Sequence, residues 1–395
     1  MTSDGKLHAV HITQYLEIGG LETFIVEFCR NLDKSAFTAT VICLNGCDDS
    51  YKKSLEQCGV AVEIITKRHR FDVFFLLRAA AFLKRVDADI LHIHGGCFFY
   101  SSLIGRLAGI KGVIYTVHGM PVTSGLQAEC EEFISCLLTD RIVAVADEVA
   151  EDLKTRQKVF NDKIEVIING IDPSKFRPLA DPDERAQRRR AHGLPVEGVI
   201  IGSVGRLEKV KNYPMLLNAF AELNLRLGDG VHLALVGNGR EEADLKRLAS
   251  ELRIEDRVSF FGTRYDLPDI YPHFDVFALP SLTEGTSLSV LEAMSCGVPA
   301  IVTDVGGNSS IIRDGINGYL IPSGDHHAMA AKFERILGNA AKLSEMKTAA
   351  RATIVEKFSI QSMLQRYEQI YYTLAGRETD AVAHTGENTH AVPMH

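Results

Sequence analysis

The feature that most constrains the fold is a repeated alternation of short β-rich runs with segments of helical period. Leu7–Thr13 leads into a Gly-containing loop, then Leu21–Leu32 at helical spacing, then Thr38–Leu44 as a second strand. Ala61–Ile65, Ile90–His94, Val113–His118, Arg141–Val145 and Lys163–Ile168 continue the pattern. Asn169-Gly170-Ile171-Asp172-Pro173 and the charged stretch 181–190 interrupt it. It restarts with Val199–Val204, Val231–Val236, Val258–Phe261, Val276–Leu279, Pro299–Thr303 and Gly318–Ile321. Such alternation favours parallel sheets with helices on both faces. Its double occurrence in 395 residues predicts an α/β protein of two doubly wound, Rossmann-like domains. The expected boundaries are 1–180 and 195–358, then a helix over 359–376 that crosses back to the first domain, then a polar, disordered tail at 377–395. Open α/β sheets bind ligands at the carboxyl ends of their strands, so the cleft between the domains is the expected site.

The charge balance, 43 − 51 = −8, argues against sequence-independent binding of nucleic acid. No uncharged window reaches the roughly 20 apolar residues that span a bilayer. Met1–Val10 lacks the pattern of a secretory signal, so a cytoplasmic protein is expected. The cysteines are scattered without a second pair at metal-ligand spacing, and free thiols are expected.

The most informative segment follows Val276–Leu279 and runs from Pro280 to Met294. Gly285 permits close approach of backbone to a ligand, Thr286 or Ser287 can cap the following helix, and the free N–H groups there suit a phosphate. Glu284 precedes that helix and Glu292 lies within it, so two carboxylates can bracket a diphosphate. After the first strand of the second half, Arg206 and Lys211 offer a planar donor fork and a point charge for the same group. Gly19 and Gly20, before the first helix, give a second close approach from the other domain.

These segments, in this order, resemble the donor site of the retaining glycosyltransferases of family 4 (glycosyl transferases group 1), which have the GT-B fold. Glu284-x7-Glu292 matches the family's E-x7-E motif, and Gly205-Arg206 with Lys211 its diphosphate-binding pair. Thr116-Val117-His118-Gly119, Val236-Gly237-Asn238-Gly239 and Asp304-Val305-Gly306-Gly307 look like further landmarks. The resemblance implies that Arg206 and Lys211 hold the diphosphate, Glu292 the ribose, Glu284 the transferred sugar, and Gly285, Thr286 and Ser287 the phosphates. It places His118 beside the donor sugar and makes the first domain the acceptor side. The implied activity is retaining, metal-independent transfer of a sugar from a nucleotide diphosphate sugar to a glycan or lipid-linked acceptor in cell-envelope or exopolysaccharide biosynthesis, with no cofactor. Three positions depart from the family pattern: Thr286-Ser287 where an aromatic-Gly pair is frequent, Ser310 where Glu is frequent, and Ala146 where Ser is common. Alternatives are a nucleotide-sugar epimerase or a phosphorylase of the same architecture, and a non-catalytic sugar-nucleotide binding protein.

Four further readings concern residues outside that site. His92 and His94 alternate on one strand and suggest a metal, yet no third ligand has matching spacing, so structural roles are expected, with His94 nearer the cleft rim. Lys67, Arg68 and Arg70 open a basic segment with aromatics, from which acceptor contact or peripheral contact with anionic lipid at the inner face of the membrane is read, together with His94. Arg185 with Arg188–Arg190 reads as a solvated helix. Asp87-x-Asp89 resembles a metal-binding motif but precedes its strand, and Gly237-x-Gly239 is a weak dinucleotide signature better explained as a tight turn.

Overall fold

Parallel pairing throughout is what short apolar runs separated by helices demand, because each crossover covers one face of the sheet. The computed structural model describes residues 5–17, 19–67, 72–119, 125–179, 181 and 184–377. Arg68, Arg70 and the expected tail from 378 onward lie outside them. Seven strands form the first sheet: β1 (Leu7–Leu16), β2 (Phe37–Cys47), β3 (Ala61–Ile64), β4 (Ile90–His94), β5 (Gly112–Val117), β6 (Arg141–Ala144) and β7 (Ile164–Val166). Their order is β3-β2-β1-β4-β5-β6-β7. Six form the second: β8 (Val199–Val204), β9 (Val231–Val236), β10 (Val258–Phe260), β11 (Val276–Leu279), β12 (Ala300–Thr303) and β13 (Gly318–Ile321), in the order β10-β9-β8-β11-β12-β13. Both orders reverse at the first strand of the sheet, the switch point where doubly wound sheets open a crevice. β1 and β2 outrun their apolar patterns because they stay paired beyond a register shift between Thr13 and Tyr15.

Each sheet is buried on both faces. In the first, Val10, Ile12, Leu91 and Ile93 face the helices Val73–Arg85 and Phe98–Ala108, while Ala9, Val41, Ile90 and Ile114 face the helix Gly20–Asn31. The second opposite layer of the first sheet is completed from the far end of the chain. The helix Ile360–Leu374 packs Met363, Leu364, Tyr367, Ile370 and Tyr371 into the cluster that holds Phe24 and Phe28. The two chain crossovers between the halves pair with each other: Ile171 N–H donates to Phe358 O (3.0 Å) and Ile360 N–H to Ile171 O (2.8 Å). Among the described residues no helix is long and apolar enough to cross a membrane.

One sequence expectation fails in this frame. Arg189 is 3% exposed, not solvated. Its guanidinium donates to Gly198 O, His273 O and Asp275, and Arg185 also reaches Asp275, so this helix is riveted to the second domain. Asp89, as its position before β4 predicts, lies at the amino edge of the sheet away from the cleft, where it accepts the His8 N–H (2.9 Å).

Candidate active site

The charged residues converge because two loops at the carboxyl edge of the second sheet are stitched together. After β8, Gly205 N–H donates to Val236 O (2.9 Å), Leu207 N–H to Asn238 O (2.8 Å), and Lys211 N–H closes a turn onto Glu208 O (2.9 Å). After β11, Leu282 N–H donates to Val210 O (2.8 Å), which draws the two loops side by side. Lys211 Nζ then lies 2.6 Å from Glu284 Oε1, and Ser281 Oγ donates to the same oxygen (2.5 Å). Arg206 is exposed at the mouth of the cleft.

Glu292 sits on the helix Leu288–Ser295 and is 7% exposed. Tyr271 Oη donates to its carboxylate at 2.6 Å. Burial pushes its pKa up to about 7, against the pull of the Tyr271 hydrogen bond and of Lys175. Lys175 itself pairs with Glu27 of the first domain (2.8 Å), beside a cavity of about 20 Å³ between Glu292 and the crossover, room for about one water.

The first domain closes over this constellation. Gly19 and Gly20 start the helix Gly20–Asn31 and line the cleft with its free N–H groups. Glu22, in its first turn, has a pKa raised by burial and pulled back by hydrogen bonding and by Arg206 across the cleft. His118, one residue beyond β5, lines the same cleft. Its carbonyl lies where a Cβ on Gly285 would collide, so only glycine admits this approach. Gly306, at φ 55°, rides equally close over the Glu284 carbonyl. Thr286 Oγ1 donates to Val145 O, and Ser310 Oγ to Asp147 Oδ2 (3.0 Å), both across the domain boundary. The open cleft between the domains has a volume of about 550 Å³ and is lined by all ten residues expected there: Gly19, Gly20, His118, Arg206, Lys211, Glu284, Gly285, Thr286, Ser287 and Glu292.

The family profile described as Glycosyl transferases group 1 matches residues 184–353, and that described as Glycosyltransferase Family 4 matches residues 18–175. The chain is 30% identical over 311 residues to the UDP-Gal:alpha-D-GlcNAc-diphosphoundecaprenol alpha-1,3-galactosyltransferase of Escherichia coli, covering 76% of this chain and 79% of that one. It belongs to the group 1 glycosyltransferases. Solved structures give this glycosyltransferase its fold. A Rickettsia africae glycosyltransferase superposes with a TM-score of 0.81 at 21% identity, covering 93% of this chain and 98% of that one. Anabaena HepE in complex with UDP-glucose superposes with a TM-score of 0.78 at 20% identity, covering 94% and 100%. The two-domain α/β architecture is GT-B.

Against this site several expectations change. His94 does not itself line the cleft and reaches no surface: it is 0% exposed, one step behind His118, with its ring nitrogens 3.0 Å from His11 and 3.1 Å from His118. The third imidazole that strand spacing hides is His11, which with His92 and His94 brings ligand atoms within 4.8 Å of one another. They are engaged as hydrogen-bond partners. The nitrogens of His92 meet Tyr371 Oη (2.6 Å) and Thr116 Oγ1 (2.7 Å). Ser287 occupies the N-cap position, but its hydroxyl caps nothing and faces Ser289 Oγ (3.2 Å), while Thr286 reaches into the other domain. Lys67 Nζ stands 3.2 Å over the Tyr100 ring. Glu22, Tyr271 and His11 escaped the sequence reading. An acidic residue in the first turn after Gly-Gly was the available signal for Glu22, and nothing local pointed to the other two.

Proposed function

We propose that this glycosyltransferase moves a sugar from a nucleotide diphosphate sugar to a glycan or lipid-linked acceptor, with retention and without a metal, in cell-envelope or exopolysaccharide biosynthesis. One observation carries the reading: Arg206, Lys211, the start of the Leu288–Ser295 helix, Glu284 and Glu292 share a cavity of about 550 Å³ with the Gly-Gly loop and His118 of the opposite domain. That volume suits a nucleotide sugar. Arg206, Lys211 and the backbone N–H groups of 285–287 would receive the diphosphate, supplying the charge that a divalent ion brings in other transferases. Glu292 would take the ribose hydroxyls. Glu284, held by Lys211 and Ser281, would take hydroxyls of the sugar beside the departing phosphate. Transfer on one face breaks the bond from C1 to the diphosphate oxygen and forms the bond to the acceptor oxygen, whose proton leaves on the phosphate. Closure of the two domains excludes water from the ion pair.

Thermal-shift binding of UDP, GDP and ADP to the wild type and to Lys211→Ala tests the site. One diphosphate should bind, and Lys211→Ala should weaken it by at least tenfold, as expected on the order of a lost charged hydrogen bond. Turnover of that nucleotide's sugars should survive EDTA and give a product of unchanged anomeric configuration. If no diphosphate binds the wild type at millimolar concentration, the reading fails.

A lipid-linked acceptor and a place at the cytoplasmic face of the membrane fit the helix Val73–Arg85, which exposes Phe74 (78%) and Leu77 (55%) beside Arg78, Lys84 and Arg85. Phe74→Ser with Leu77→Ser should abolish co-sedimentation with phosphatidylglycerol vesicles and leave diphosphate binding intact. Equal sedimentation of variant and wild type would reject membrane contact through this helix.

A further inference from the structure

Three adjacent strands each lead to one histidine of a single hydrogen-bonded file. His11 of β1 lies opposite His92 of β4, and His94 opposite Thr116 of β5. A step of two residues toward the carboxyl edge keeps side chains on one face of a sheet, so His11, His94 and His118 run diagonally toward the cleft. His11 Nδ1 is 3.0 Å from His94 Nε2, and His94 Nδ1 is 3.1 Å from His118 Nε2. The rings of His11 and His94 are within 5° of coplanar, the geometry of an N–H···N bond. At the inner end His11 Nε2 is buried without a partner among the described residues. At the outer end Nδ1 of His118 is the ring nitrogen not engaged by His94.

Burial keeps all three rings neutral: it pushes His11 and His118 down to about 3 and His94 well below the usual histidine value. A neutral imidazole carries one N–H and one lone pair, so two such bonds in series must point the same way. If they pointed inward, His11 would bury an N–H with nothing to accept it. If they point outward, only a lone pair is left over. A buried unpaired donor is the rarer arrangement, so the bonds point outward.

We propose that His94 and His11 are positioning residues that fix the tautomer of His118, so that it presents Nδ1–H to the cleft as a hydrogen-bond donor to an oxygen of the transferred sugar. This rests on the glycosyl-transfer reading for the identity of the ligand, and not for the tautomer. His118 so fixed has no lone pair toward the cleft and is not the base that takes the acceptor's proton. That proton goes to the departing diphosphate oxygen as C1 exchanges one oxygen for the other.

Long-range proton–nitrogen correlation spectra of the full chain, labelled at the histidine nitrogens and assigned by loss of the His118→Asn signal, read the tautomer directly. The wild type should show a protonated Nδ1 and a bare Nε2 at His118. His94→Asn keeps an N–H in the place of Nδ1 and should preserve that signature, and with it the rate of UDP-glucose or UDP-galactose hydrolysis. His94→Leu should leave a mixture of tautomers and lower kcat about tenfold with KM little changed, the scale of one misdirected hydrogen bond. A wild-type His118 protonated on Nε2, or a mixture of tautomers, overturns the proposal whatever the enzyme turns over. The expected tautomer pattern with no hydrolysis or binding of any UDP sugar upholds the relay and counts against the glycosyl-transfer reading instead.

Discussion

Glu292 is a carboxyl that folding moves into a place where its charge is disfavoured. Its folded pKa of about 7 lies above its ordinary 4.5, so between those values the native protein holds a proton that the unfolded chain has released. Stability therefore falls as pH rises through that window, by roughly 3.5 kcal/mol at about 1.4 kcal/mol per unit. Glu292→Gln keeps an oxygen to accept from Tyr271, and should flatten the dependence of Tm on pH between 5 and 8, which thermal melts across that range would read. The residues legible from sequence were those whose chemistry is local. Arg206 with Lys211, and Glu284 with Gly285, each sit on one loop after one strand. Tyr271 and His11 were not legible, because their roles exist only through partners brought by the fold, Glu292 and His94.

Elements decide how the two halves meet. The three positions that depart from the family pattern gather at one contact. Thr286 reaches Val145 O, Ser310 reaches Asp147, and Ala146 stands against Gly307. Gly285→Ala would press a methyl group onto the His118 carbonyl and hold the domains apart. Turnover should fall about a hundredfold or more, the cost of misplacing reacting groups by about 1 Å. Small-angle scattering should show a larger radius of gyration with the thermal melt still cooperative. An unchanged radius with full activity would refute this account of the contact. Strand periodicity revealed which elements exist, but register and loop stitching depend on bonds between segments far apart, such as Leu282 to Val210. The length of β1 and β2 was hidden for the same reason, since a bulge breaks the alternation without ending the pairing.

The molecule as a whole is held by a chain that leaves its first domain and comes back. Tyr367 and Tyr371 are fully buried in the first domain although they belong to the last helix. Tyr367→Ala should cost about 3 to 5 kcal/mol in urea unfolding, the range for removing a large buried aromatic. The doubled strand-and-helix grammar made the two-domain α/β architecture readable. The pairing of crossovers at Ile171 and Ser359 was beyond it, because neither segment is a strand by pattern.

That return sets an order of events on the ribosome. Residues up to Ile171 emerge with one layer of their core missing, and its last piece, the helix ending at Leu374, follows roughly 200 residues later. At about 5 to 20 residues per second the nascent first domain waits on the order of 10 to 40 s with an apolar trough open over Phe24 and Phe28. During that interval it is a client for any chaperone that reads exposed aromatic surface, and only the emergence of the helix Ile360–Leu374 lets the first domain seal itself.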